Sequence, residues 1–137
     1  MKVVLDTNVW VSAWLWRGLP NNLIHLARRE EIQICISESL FAELENTLSY
    51  KKLQQKIQSL NLTKEQLLIG TSEITYIYPI ANLNVSELRD PDDNVVLATA
   101  IAANAKVIIT GDQDLLVLQE YQNIQIVTAK DFLERYF

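Results

Sequence analysis

Acidic residues gather at three points of the sequence where an apolar run meets polar residues. They are Asp6, the run Asp90-Pro91-Asp92-Asp93 and the run Asp112-Gln113-Asp114. Bringing carboxylates together costs about 1 kcal/mol per pair at about 4 Å even in water, and a bound divalent cation removes that cost. All-oxygen sites suit Mg2+ or Mn2+, and such ions can activate water for phosphodiester cleavage. If these residues converge, they predict metal-assisted hydrolysis of a phosphate ester.

Each acidic cluster also has a structural alternative. Asp6, Asp90 and either Asp112 or Asp114 are placed to cap a helix that follows them. An acid in a first helical turn, such as Asp93, is favoured by the helix dipole. One cap per helix is enough, however, so the additional acids require another reason.

A helix expected to begin at Ser37 carries three further candidates. Glu38, Glu43 and Glu45 each lie near a flank of its apolar face. Spacing does not choose among them, and each one alone is typical of a solvated glutamate.

Composition argues against several other chemistries. Cys35 and His25 are the only residues of their types, so the usual nitrogen and sulfur ligands of a zinc site are missing. The 3 glycines form no phosphate-binding loop. A net charge of -5 argues against a general nucleic-acid binder, although bound cations would offset part of that acidity.

Length and residue usage predict one domain over residues 1–137, located in the cytoplasm. A chain of 137 residues has the size of one domain. No apolar run approaches the roughly 20 residues of a membrane span, so no membrane association is expected. A lone cysteine without a disulfide partner fits a reducing compartment.

The apolar pattern predicts the elements that must position these acids. Apolar runs rich in β-branched residues predict strands at 2–5, 32–36, 107–110 and 124–127, with an edge strand at 76–78. Helices are expected over 20–29, 95–105 and 129–136, after Ser37, and after a capping box at Thr63. This alternation indicates an α/β domain with a mainly parallel sheet covered on both faces. Functional groups gather at the carboxyl ends of such strands, where Asp6 and Asp112 stand.

Aromatic and basic residues offer a second kind of site. Trp10, Trp14 and Trp16 could stack on RNA bases, but the four-residue spacing of the first two favours packing in the core or at a subunit interface. The basic residues concentrate in one region, at Lys51, Lys52, Lys56 and Lys64. This region is either a solvated helical arm or a set of phosphate contacts.

Taken in order, these motifs resemble the PIN domain family, and within it the VapC-like toxins of toxin–antitoxin pairs. The opening Met1-Lys2-Val3-Val4-Leu5-Asp6-Thr7-Asn8-Val9 resembles the family's first strand with its first catalytic Asp. Ser37-Glu38-Ser39-Leu40-Phe41-Ala42-Glu43-Leu44 is similar to the helix that carries the family's Glu, and the resemblance selects Glu43. Two further stretches are similar to the third and fourth motifs: Arg89-Asp90-Pro91-Asp92-Asp93 followed by Leu97-Ala98-Thr99-Ala100, and Thr110-Gly111-Asp112-Gln113-Asp114-Leu115.

The resemblance implies a fold, an activity and partners. The implied fold is a three-layer α/β/α sandwich around a mainly parallel sheet of about four to five strands. The implied activity is that of a Mg2+- or Mn2+-dependent endoribonuclease, with a homodimer, an RNA substrate and an antitoxin protein as partners. The implied catalytic and metal-binding residues are Asp6, Glu43, Asp93 and Asp112, with Asp114 as a further metal ligand. Asn8, Lys51 and Lys52 are candidates for contacts with the substrate.

Two other functions remain open at this level. A degenerate PIN domain would bind RNA or protein without cleaving it, although all four acids are present here. A metal-dependent phosphatase would use the same acids on small substrates.

Overall fold

A computed structural model describes residues 1–80 and 91–137, with side chains described from residue 95 onward in the second range. Its strands are β1 (Lys2–Leu5), β2 (Gln33–Ile36), β3 (Thr75–Ile77), β4 (Val107–Ile109), β5 (Glu120–Tyr121) and β6 (Ile124–Val127). They form one sheet of six strands in the order β3-β2-β1-β4-β6-β5. The pairings are parallel except between β5 and β6. The predicted parallel sheet, with β3 at its edge, is confirmed.

Helices connect the strands along the described parts of the chain. They are α1 (Thr7–Leu15), α2 (Leu19–Arg28), α3 (Glu38–Leu48), α4 (Lys51–Ser59), α5 (Lys64–Glu73), α6 (Pro91–Ala103), α7 (Gln113–Leu116) and α8 (Ala129–Tyr136). Ser37 accepts a hydrogen bond from the Leu40 amide at the start of α3, and Thr63 forms the predicted capping box of α5. None of the described helices is long and apolar enough to cross a membrane.

The two faces of the sheet pack against different helices. Val3 and Leu5 point into a core shared with α1, α2 and α8, whereas Val4 points into a core formed with α6 and α7. This alternation along β1 follows from the two-residue period of a strand. Helices on both faces confirm the expected three layers.

The sheet has one strand more than expected among the described residues. β5 is only two residues long and pairs antiparallel with β6, so it is too short to produce a detectable alternation in the sequence. The four-residue α7 likewise lies below the length at which helical periodicity becomes visible. Neither element alters the positions of β1 and β4, which are neighbours at the centre of the sheet.

Candidate active site

Asp6 lies at the carboxyl end of β1, with only 8% of its surface exposed. It is the N-cap of α1, because its Oδ1 accepts a hydrogen bond from the Thr7 amide at 2.8 Å. Its Oδ2 accepts a hydrogen bond from the Thr110 hydroxyl at 2.7 Å. The capping bond therefore uses one carboxylate oxygen, and the bond to Thr110 uses the other.

Thr110 joins the ends of the two central strands. It directly follows β4 and is 1% exposed. While its hydroxyl donates to Asp6, it also accepts a hydrogen bond from the Asp112 amide at 3.0 Å. One buried hydroxyl thus fixes Asp6 relative to the turn that carries Asp112.

Asp112 is itself the N-cap of α7. Its Oδ1 accepts a hydrogen bond from the Asp114 amide at 2.9 Å. Both residues are half-buried. The sequence left open which of the two would be the cap, and the structure assigns that position to Asp112.

Glu43 approaches the same edge of the sheet from α3. The Thr7 hydroxyl donates a hydrogen bond to Glu43 Oε1 at 2.9 Å. Glu43 is half-buried, whereas Glu38 and Glu45 on the same helix are exposed. The structure thereby separates three glutamates that spacing alone did not distinguish. We refer to Asp6, Thr7, Glu43, Thr110 and Asp112 as the carboxylate edge.

The helix α6 begins at Pro91, as expected, whereas its predicted cap, Asp90, lies outside the described residues. Asp93 falls in the first turn of that helix, and its side chain lies outside the described residues, as do the side chains of its acidic neighbours. Farther along α6, the buried Thr99 hydroxyl donates to the Val95 carbonyl at 2.7 Å and contacts the Ser37 hydroxyl at 2.8 Å. Since Thr99 uses its own proton on Val95, Ser37 is the donor of that contact, which ties the start of α3 to α6.

The described acids alone do not make a metal centre. Among the side chains described in 1–80 and 95–137, no group of three or more His, Cys, Asp and Glu residues could hold a metal ion. The Thr110 hydroxyl bonds to the Asp6 carboxylate and to the main-chain amide of Asp112. A cation site at this edge would need a further ligand from outside the described side chains.

The candidates for substrate contact are all exposed. Asn8 is exposed in the first turn of α1, two residues after Asp6. Lys51 and Lys52 are exposed at the start of α4. All three are accessible to a ligand, and Asn8 directly follows Thr7 of the carboxylate edge.

The tryptophans divide between core and surface. Trp10 is fully buried and stacks on Trp14 with 6.5 Å between ring centroids. Trp14 donates from Nε1 to the Thr71 hydroxyl at 3.0 Å. The expectation of core packing is confirmed for these two residues, whereas Trp16 is 46% exposed.

Cys35 takes no part in this edge. It is fully buried inside β2, and burial raises the pKa of its thiol against the opposing effect of the Lys2 charge. A thiol with a raised pKa is a poor nucleophile and metal ligand at neutral pH. The cysteine is therefore a packing residue, as its apolar surroundings in the sequence indicate.

Sequence reasoning missed Thr7 and Thr110. In its local sequence, each is an ordinary residue at the start of a helix or the end of a strand. The available signal was position, because one follows the first acid directly and the other precedes Asp112 by two residues. Hydroxyls beside carboxylates at converging strand ends are candidates to orient them.

Comparisons with known proteins identify the family and the fold. Residues 2–114 match a family model described as PIN domain, a range that includes all five acids named as metal ligands. A solved structure with a similar fold is that of VapBC2 from Rickettsia felis bound to a DNA fragment from their promoter. The match has 21% identity and a TM-score of 0.61 over 92% of this chain and 97% of that chain. No curated protein sequence matches the chain.

Proposed function

The chain belongs to the PIN domain family, and from this premise we propose that it is a metal-dependent endoribonuclease and the toxin of a toxin–antitoxin pair. The proposed catalytic residues are Asp6, Glu43, Asp93 and Asp112. The same residues, with Asp114, are the proposed metal ligands. The proposal treats 1–137 as one nuclease domain acting in the cytoplasm.

The observation that carries the proposal is the set of hydrogen bonds that two threonine hydroxyls form at the carboxylate edge. Thr110 links Asp6 to the turn of Asp112, and Thr7 links the first turn of α1 to Glu43. Both hydroxyls are neutral donors, so they orient carboxylates without cancelling their charge. Three acids from distant parts of the chain are thereby linked at one edge of the sheet, where a bound cation would offset any repulsion between them.

The chemical type of the proposed ligands suits Mg2+ or Mn2+. Every candidate ligand is a carboxylate, and these hard cations prefer oxygen. A bound ion would supply a water of lowered pKa and positive charge near the leaving oxygen. Within the protein, Thr7 and Thr110 would hold the orientation of Glu43 and Asp6, and the Asp114 amide would hold that of Asp112.

The substrate and partners are also part of the proposal. RNA is the substrate, with Asn8, Lys51 and Lys52 as contacts outside the acids. A homodimer and an antitoxin protein that blocks the carboxylate edge are proposed partners. The similarity in fold to VapBC2 supports the antitoxin partner.

The proposal is tested by incubating the purified protein with unstructured RNA and, separately, with a generic phosphomonoester. We expect RNA cleavage with Mg2+ or Mn2+, none in EDTA, and none by Asp6→Asn purified in the same way. Hydrolysis of the monoester alone would instead identify a phosphatase. RNA binding without cleavage under either metal would identify a non-catalytic binding domain.

The toxin role needs a separate test in cells. Induced expression of the wild type should arrest growth, and Asp6→Asn should not. Co-expression with a short open reading frame adjacent to the gene should restore growth if that frame encodes the antitoxin. Normal growth with abundant wild-type protein would contradict the toxin role while leaving the nuclease activity open.

A further inference from the structure

The segment 46–64 has a charge opposite to that of the whole chain. It contains Lys51, Lys52, Lys56 and Lys64 and no acidic residue, in a chain with net charge -5. Three of these lysines lie on α4, which packs on the core through the buried Ile57. The rest of that helix is half-buried or exposed, so it presents its positive charge to solvent.

Trp16 lies against this helix. The Lys56 ammonium is 5.4 Å from the centroid of its ring, and the side chain nevertheless remains 46% exposed. The next residue, Arg17, is exposed as well. A large aromatic ring is therefore accessible beside positive charges, in contrast to the fully buried Trp10.

Lys52 extends this arrangement by one helical turn. It is four residues before Lys56, so the two lysines share one face of α4, about 6 Å apart along the axis. We refer to Trp16, Arg17, Lys52 and Lys56 as the basic–aromatic surface. It combines a flat ring with a row of cations, the two features that bind bases and phosphates of a single strand.

The aromatic ring distinguishes among polyanions. An acidic protein or an anionic membrane would be attracted by the lysines alone. A single-stranded nucleic acid also has bases that stack on tryptophan, and each such contact changes affinity by about 5- to 150-fold. The exposed indole therefore favours a strand over other acidic ligands.

We propose that the basic–aromatic surface binds single-stranded RNA and anchors it at a distance from the carboxylate edge. Asp6 and Trp16 are the N-cap and C-cap of the 9-residue α1, which separates them by about 15 Å along the helix. A few nucleotides of extended strand span that distance. The proposal rests on the ribonuclease function, and it assigns this surface to affinity for the strand and not to the chemical step.

The proposal is tested by fluorescence anisotropy with a labelled, unstructured RNA in EDTA, where no cleavage occurs. Trp16→Ala should weaken binding by about 5- to 150-fold, and Trp16→Phe should restore much of it because a phenyl ring still stacks. Lys52→Gln should lower the slope of log affinity against log salt by about 0.7, the value for one phosphate contact on a single strand. This lysine is exposed, so its result does not depend on packing around Trp16.

Lys106→Gln is the matched control. This exposed lysine lies between α6 and β4, and its loss changes the net charge as much as the loss of Lys52 does. The proposal requires that it leave the affinity near that of the wild type. If Lys106→Gln and Lys52→Gln weaken binding equally, the RNA is attracted by the net charge of the protein alone. The assignment of RNA binding to the basic–aromatic surface would then be wrong.

Two further outcomes would overturn the proposal. Unchanged binding by Trp16→Ala would remove the stacking role. Displacement of the RNA by poly-glutamate at equal charge would point to an acidic protein as the ligand.

The test also separates this surface from the proposed activity. RNA cleavage by the wild type together with normal binding by the Trp16 and Lys52 variants would overturn the surface alone. Loss of cleavage in Asp6→Asn with retained RNA binding would support both. A wild type that neither binds nor cleaves RNA would contradict both.

Discussion

The carboxylate edge and the basic–aromatic surface are built in opposite ways. The first joins residues far apart in sequence through buried hydroxyls, since the bond from Thr110 to Asp6 spans 104 positions. The second depends on neighbouring positions along α4 and on one exposed contact between Lys56 and Trp16. A buried, bridged site is sensitive to any change in its partners, whereas an exposed one tolerates substitution. Mutations at the edge should therefore affect cleavage and stability, and mutations at the surface should affect mainly RNA affinity, with small effects on stability.

The largest effect is expected for Asp6→Asn. The amide keeps a cap for α1 but removes the negative charge, so cleavage should fall by more than about a hundredfold. A loss of about a hundredfold is the upper limit expected when a group that only orients a metal ligand is removed, so a ligand itself should cost more. In the absence of metal, the removal of one repelling charge opposes the loss of one of the two buried hydrogen bonds that Asp6 accepts, so the variant should be more stable than Asp6→Ala. Rates of RNA cleavage and thermal unfolding in EDTA measure the two effects.

Asp6→Ala provides the control for the capping role. It loses both the charge and the cap, so it should also lower the free energy of unfolding by about 0.5–2 kcal/mol. If Asp6→Asn lowers the free energy of unfolding as much as Asp6→Ala does, the carboxylate serves mainly the folded structure. The proposed difference between the carboxylate edge and the basic–aromatic surface would then be wrong.

The next largest effect is expected for Thr110→Val. The substitution preserves shape but removes the hydroxyl that donates to Asp6 and accepts from Asp112. Leaving buried polar groups without this partner should cost about 1–3 kcal/mol of stability. Cleavage should fall by about 10- to 100-fold, as for other groups that orient metal ligands.

Thr110→Ser tests whether the hydroxyl itself matters. It keeps the donor and acceptor, so it should recover most of the cleavage rate lost in Thr110→Val. Equal rates in the two variants would mean that the threonine contributes by packing and not by orienting the acid.

The contrast between the regions also explains how much the sequence could predict. The sheet was predictable because each central strand is a run of buried, β-branched residues, such as Val107–Ile109 in β4. The position of Asp6 and Asp112 at one edge of the sheet was predictable because they follow β1 and β4, which are adjacent and parallel. The choice of Glu43 came from family resemblance, since helical spacing gave three equivalent candidates.

Other features depend on tertiary contacts that leave no local pattern. Thr7 and Thr110 act through partners 36 and 104 positions away, so neither has a signature in its own neighbourhood. The exposure of Trp16 also depends on tertiary packing. Spacing predicted that Trp10 and Trp14 are packed, but only the folded chain shows that Trp16 faces solvent.

Metal addition should stabilise the wild type and not the edge variants. At about ten times its dissociation constant, Mg2+ or Mn2+ should add about 1.4 kcal/mol, which raises Tm by about 5 °C for a chain of this size. Asp6→Asn should show much less of this shift, and Lys52→Gln should show all of it. Calorimetric scans over a metal series measure the shift. A wild type that gains nothing at millimolar metal would argue against a cation at the carboxylate edge.

The smallest effect is expected for the lysines of the surface when stability is measured. Lys52→Gln should change the free energy of unfolding by less than about 0.5 kcal/mol, as exposed substitutions usually do. Lys56→Gln loses its contact with the Trp16 ring, which is worth about 0.5–1 kcal/mol at an exposed site. Urea unfolding of both variants, compared with Lys106→Gln, measures these differences. A loss above about 2 kcal/mol in Lys56→Gln would make the contact structural, because a residue that serves ligand binding at the surface contributes little to the folded core.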